Sequence, residues 1–130
     1  MITAIKKGAK LRISPYFNSC EFDCKCENPN CTFTLYSIEM IKLLEQLRFA
    51  NGNKPLIINS AFRCATHNKN EGGKPNSQHL VGLAVDIRCP IYLSFNEFKK
   101  LVYRIPFKFI LPYPDEPIPF IHVDIRTGGF

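Results

Sequence analysis

"SQHLVGLAVDIR", residues Ser77 to Arg88, decides how the rest of the chain is read. It opens polar, turns at Gly82 and ends in an alternating run. A strand sends successive side chains to opposite faces. Leu83, Val85 and Ile87 therefore share one face, and Ala84, Asp86 and Arg88 share the other. The ending recurs in "FIHVDIR", Phe120 to Arg126. There Ile121, Val123 and Ile125 form the apolar face, while Phe120, His122, Asp124 and Arg126 point the opposite way. An antiparallel sheet with one face in the core and one in water explains part of this pattern. It does not explain Ala84, an imidazole on a face meant for solvent, or a glycine-bearing loop that delivers His79 beside them. If the two strands are neighbours, His79, Asp86 and His122 converge. Two imidazoles and a carboxylate are a donor set for catalytic zinc, with a fourth position left for water.

Upstream, "AFRCATHNKNEGGKPNSQ" (61–78) reads as a long polar loop with Gly72, Gly73 and Pro75, and loops of that length in compact domains are usually functional. "KPLIINS" before it reads as a central strand through Leu56, Ile57 and Ile58. In "YSIEMIKLLEQLRFANG", Met40, Leu43, Leu44 and Leu47 follow the spacing of one helical face, so a helix starts near Thr34 or Ser37. Arg48 lies in its last turn and "NGN" (51–53) ends it. Residues 1–33 look loop-rich.

Downstream, "SFNE" (94–97) is a capping box, in which Ser94 accepts from the Glu97 amide and Glu97 reaches back. The helix it opens runs to about Tyr103, burying Phe95, Phe98, Leu101 and Val102, and Pro106 stops it. "FKFIL" is a further strand and "PYPDEPIP" a proline-stiffened loop. The predicted fold is α+β: an antiparallel sheet of about four strands with helices packed on one face, in a single domain over 1–130.

Composition bounds the function. The chain has 130 residues, 45% of them apolar and 22% charged, as expected of a globular domain. No apolar run reaches the roughly 20 residues needed to span a bilayer. No secretory signal is read at the N-terminus, so the expectation is synthesis in the cytoplasm and action after release or delivery. The net charge of +6 favours polyanions, among them bacterial wall polymers. Its cations are scattered, which argues against specific nucleic-acid binding. A monomer is expected.

Of six cysteines, Cys20, Cys24, Cys26 and Cys31 crowd into "CEFDCKCENPNC", with Cys64 and Cys89 apart. Disulfides, free thiols and a second, structural zinc on the four crowded cysteines all remain open. Their spacing departs from the usual two-knuckle zinc pattern, which disfavours the zinc reading.

Ser77-x-His79-x-x-Gly82-x-Ala84-x-Asp86 resembles the S-x-H-x-x-G-x-A-x-D signature of the zinc D-alanyl-D-alanine carboxypeptidases and related phage endolysins, the VanY-like branch of the hedgehog-like metallopeptidases. His122 in "FIHVD" matches that family's third ligand. "INSAFRCATHNKNEGGKPNSQH" resembles the stretch of serine, aromatic-arginine pair, H-N and double glycine that precedes the signature. The likeness covers roughly residues 15–126 and points to a short, single-domain member.

The resemblance implies Zn²⁺ held by His79, Asp86 and His122, with Gly82 at a close turn and Ala84 leaving room. It implies that Arg63 contacts a substrate carboxylate or the developing oxyanion. Ser77 and Gln78 are candidates to hydrogen-bond the substrate backbone, although Ser77 suits a local cap equally. Many relatives carry a glutamate three residues before the third ligand, where this chain has Pro119. The general base is therefore sought elsewhere. Asp124, two residues after His122, comes first, as base or as a group orienting a ligand. Glu116 and Asp115 are the alternatives. His67 reads as a loop-packing residue, and Tyr113 as core or pocket wall.

The function implied is a zinc peptidase acting on peptides of bacterial peptidoglycan, as a D,D- or L,D-carboxypeptidase or endopeptidase. The alternative is a zinc-containing wall-binding module that has lost catalysis, which Pro119 favours. A zinc nuclease is a third reading.

Overall fold

The computed structural model describes residues 1–126. Its elements run β1 (Ile2–Lys6), β2 (Phe33–Ser37), α1 (Ile38–Ala50), β3 (Ile58–Ser60), α2 (Ala65–Asn70), β4 (Ala84–Arg88), α3 (Phe95–Tyr103), β5 (Phe109–Tyr113) and β6 (Phe120–Asp124). Short 3-10 turns lie at Ser19–Phe22 and Gln78–Val81. β1 and β2 pair antiparallel, and a four-stranded antiparallel sheet has the order β3-β4-β6-β5. The α+β expectation holds.

The two strands that end in D-I-R, β4 and β6, are the central pair of that sheet. Their alternation does what it predicts. Val85 and Ile87 of β4, with Ile121 and Val123 of β6, sink into the core against Leu44 and Leu47 of α1 and Phe98 and Val102 of α3. Helices α1 and α3 thus cover one face. The opposite face carries the register pairs Asp86↔His122 and Ala84↔Asp124. Burial of these apolar side chains, about 2 kcal/mol each, sets which face looks inward and so which face carries the polar groups.

α1 starts at the later of the two expected positions. The Ser37 hydroxyl accepts from the Met40 amide at 3.2 Å, whereas Thr34 lies buried within β2. Its buried residues are Met40, Ile41, Leu44 and Leu47, with the expected Leu43 partly buried against the same core. The capping box of α3 is present in both directions, at 3.1 Å and 2.9 Å. Of its expected core residues, Phe98 and Val102 are buried, and Phe95 and Leu101 are partly so.

Three expectations are corrected. The strand read through Leu56–Ile58 is Ile58–Ser60, and it lies at the sheet's edge rather than its centre. Pro55 holds φ and lacks an amide donor, so regular pairing starts only beyond it. The 61–78 loop contains α2, a helix without an apolar stripe, whose first turn is capped by the Cys64 sulfur. The first third is more than loop: β1 pairs with β2, and Phe17 and Phe22 enter the core.

Gly82 closes the turn that delivers His79. Its φ is +75°, and a Cβ there would sit 2.8 Å from the Leu35 backbone. Gly82→Ala combines left-handed strain with a clash against main chain. It should cost about 2–4 kcal/mol, read as a lowered midpoint in urea unfolding.

Candidate metal centre

Three elements bring the expected ligands together. His79 comes from the 3-10 turn, Asp86 from the middle of β4 and His122 from the middle of β6. One ligand atom from each lies within 4.8 Å of the others. His79 Nε2 is 3.3 Å and His122 Nδ1 2.9 Å from Asp86 Oδ1, and the two rings meet edge to face at 5.2 Å.

Each imidazole has its other nitrogen engaged. His79 Nδ1 donates to the Ala61 carbonyl at 2.6 Å. That places its proton on Nδ1 and leaves the Nε2 lone pair facing the centre. His122 Nε2 donates to Asp124 Oδ2 at 2.9 Å, leaving Nδ1 inward. A carbonyl behind one ligand and a carboxylate behind the other is how metal-binding histidines are fixed in tautomer and orientation. The donor set fits zinc, with two imidazoles, one carboxylate and a side open to the cleft.

Asp124 is fully buried and engaged on both oxygens. Arg126 donates from Nε to Oδ1 at 2.9 Å, from Nη2 to Oδ2 at 2.6 Å, and from its amide to Oδ1 at 3.1 Å. The Arg126 guanidinium lies 3.8 Å over the Phe109 ring. Burial alone would raise the Asp124 pKa. The Arg126 and His122 hydrogen bonds outweigh it and hold the carboxyl at about 2.

Asp86 is similarly held at about 2, because hydrogen bonds from His122 and His79 overcome the opposing effect of burial. Burial would lower the His122 pKa. Its bonds to Asp124 and Asp86 reverse that and raise it to about 9. A proton on His122 Nδ1 and a cation compete for one lone pair, while Asp86 stays ionised throughout. Metal affinity should therefore fall about tenfold per pH unit as pH drops below about 9, with one proton released per ion bound. Titration with a competing chelator at several pH values reads this slope, and a flat response would overturn the assignment of Nδ1.

The centre opens into a cleft of about 440 Å³, the size of a small-ligand site. Arg63, Ser77, Gln78 and Tyr113 line it. Arg63 donates to Ser60 Oγ at 3.0 Å and to Asn68 Oδ1 at 3.4 Å, and its Nη2 lies 3.5 Å from Asp86 Oδ2. Its amide also bonds the His79 carbonyl at 3.1 Å, tying the arginine to the ligand turn. Ser77 Oγ accepts from the His79 amide at 3.2 Å, so it caps that turn. Gln78 is buried, and its Oε1 has no partner among the described residues. Tyr113 stacks on Phe120 at 4.7 Å.

Other candidates sit elsewhere. Glu116 and Asp115 are exposed on the turn between β5 and β6 and are not on the cleft wall. His67 lies in α2, 3.5 Å from Glu71, outside the ligand group.

Two residues, one on the cleft wall and one behind it, carried no role in the sequence. Glu71 is the one carboxylate besides Asp86 on the described wall. Asn68 is buried, and it links Arg63 to the Lys74 carbonyl at 2.9 Å. The signal for Asn68 was the double glycine: a Cβ on Gly73 would lie 2.1 Å from Asn68 Oδ1, so the pair is built together.

A second cluster joins Cys24, Cys26, Cys31 and Cys64, their sulfurs all within 4.8 Å. The crowded set read from the sequence is corrected at one member. Cys64, remote in the chain, takes the place given to Cys20, which lies in the Ser19–Phe22 turn.

Set beside known proteins, residues 15–124 match the peptidase M15 family model. The chain belongs to the peptidase M15 family. Within it, a zinc D-Ala-D-Ala carboxypeptidase of Streptomyces albus G is 46% identical over 44 residues. That match takes in 34% of this M15 chain and 17% of the relative's length.

Proposed function

We propose that this M15 chain is a zinc-dependent peptidase that hydrolyses peptide bonds of bacterial peptidoglycan, as a D,D- or L,D-carboxypeptidase or endopeptidase. The convergence of His79, Asp86 and His122, each imidazole fixed from behind, carries the reading. The relative's zinc carboxypeptidase activity supports it. The surplus of cations suits an anionic wall, to which the protein would be delivered after synthesis.

His79, Asp86 and His122 would hold zinc, which when bound would supply Lewis acidity and a water acidified toward neutral pH. The chain's own groups do the rest. Arg63, fixed by Ser60 and Asn68, presents a permanent cation to a substrate carboxylate or to the oxygen that gains charge. Gln78 lies on the cleft wall with its Oε1 buried and unpartnered, so a rotation of its side chain would bring that acceptor to a substrate amide. Tyr113 on Phe120 forms an apolar wall for a side chain. Asp124 orients His122 and balances its charge. Glu71, on the cleft wall and 3.5 Å from His67, is the carboxylate proposed to accept a proton.

The test is turnover of purified peptidoglycan, followed by mass spectrometry of released fragments with and without chelator. Chelator-sensitive release is the expected result, and the fragment masses name the bond. Glu71→Gln should slow release on the order of 10²-fold if Glu71 is the base. Pro119, standing where many relatives have a glutamate, favours a second reading, a wall-binding module without catalysis. Wall binding by zinc-loaded protein that releases nothing from several wall types would establish that instead.

A further inference from the structure

We propose that Cys24, Cys26, Cys31 and Cys64 hold a second zinc ion, structural and separate from the His79–Asp86–His122 centre. Cys24 Sγ lies 3.7 Å and Cys26 Sγ 3.8 Å from Cys64 Sγ. Tetrahedral zinc with bonds of about 2.3 Å places its thiolate sulfurs about 3.8 Å apart. Disulfide sulfurs sit about 2.05 Å apart, and all four cysteines are free here. Two disulfides would tie the sulfurs in separate pairs. Four sulfurs around one point serve a single ion.

The surroundings suit a group carrying negative charge. The Cys64 amide points at Cys24 Sγ at 3.3 Å, and the His67 amide at Cys64 Sγ at 3.5 Å. Lys7 Nζ lies 3.5 Å from Cys26 Sγ and 3.2 Å from its carbonyl. Such donors stabilise thiolates around a metal. A hollow of about 250 Å³, bordered by Cys31, Cys64, Phe33 and Phe62, gives access from solvent.

The position gives the ion a purpose. Cys64 follows Arg63 directly and caps α2, which supplies Asn68 to that arginine. The other three ligands belong to the segment before β2. One ion would pin the loop that presents Arg63 to a segment that has little regular structure of its own. Its loss should loosen the arginine without touching a ligand of the first centre.

The experiment uses the full chain, purified after growth with zinc. Metal is counted by plasma emission in wild type, in the His79→Ala/His122→Ala double variant, and in that double variant with Cys64→Ser or Cys20→Ser added. Two zinc ions per chain are expected in wild type and one in the double variant. That remaining ion should persist with Cys20→Ser and vanish with Cys64→Ser. Cobalt(II) in the double variant should show thiolate-to-metal charge transfer, which keeps the test decisive even where Cys64→Ser does not fold. A double variant that binds no zinc, cobalt spectra without thiolate bands, or disulfides in the mass of the unreduced chain would overturn the proposal. None of these readouts depends on peptidase activity.

Discussion

His122→Ala should empty the histidine–aspartate centre and slow peptide release by on the order of 10³-fold or more, about 4 kcal/mol on the barrier. The substitution removes one of the three proposed ligands, and the described residues place no fourth His, Cys, Asp or Glu in that group. Its effect on folding should be small by comparison. His122 lies on the cleft side of β6, whereas Ile121 and Val123, the core residues on either side, are untouched. Asp124 also keeps its salt bridge to Arg126. The expected signature is therefore lost metal and lost turnover in a protein with unchanged circular dichroism. A variant that kept its metal at this centre, or turned over within tenfold of wild type, would sink the proposed ligand set.

Asp124→Ala should strike both stability and metal binding. It leaves Arg126 and the outer nitrogen of His122 facing a vacated, fully buried acceptor. Breaking a buried ion pair from one side costs about 3–5 kcal/mol. Arg126 retains a quarter of its side-chain exposure, so about 3 kcal/mol is expected in urea unfolding of the metal-free chain. Losing the carboxylate behind a ligating histidine should also weaken metal binding about 10–100-fold. Asp124→Asn preserves shape and one acceptor, and should fall between wild type and alanine on both scales. Unchanged metal affinity in the alanine variant would show that Asp124 does not position His122. Asp124→Asn that retained metal yet lost turnover would return Asp124 to the part of general base.

The sheet and the centre were legible in the sequence because both rest on the period of two. Once "LAVDIR" and "FIHVDIR" are laid side by side, burying Val85, Ile87, Ile121 and Val123 forces Asp86 and His122 onto one face. The capping box at Ser94 was equally local. What escaped was structure that depends on distant partners. β1 and β2 pair across the 26 residues between them, and in neither does residue type follow burial: Ile2 and Phe33 are exposed while Thr34 and Ser37 are buried. α2 has no apolar stripe, its seat being built from the Cys64 cap and the fit of Asn68 against Gly73. Cys64 was separated from the crowded cysteines by 40 positions from Cys24, so spacing suggested Cys20 in its place. Asp124 was visible as a neighbour of His122, but its pairing with Arg126 appears only in three dimensions.

Asp86 and His122 face each other across β4 and β6, 36 residues apart in the chain. Sliding β6 by one residue would put Ile121 or Val123 opposite Asp86 and turn the imidazole into the core. Metal capture at this centre would thus act as an error check on strand pairing. A mispaired chain would have no such set of donors, while a correctly paired one would gain the full binding energy of the ion. The same atoms proposed to cleave the substrate would then sort finished molecules from misfolded ones, and catalytic competence would certify the fold that carries it.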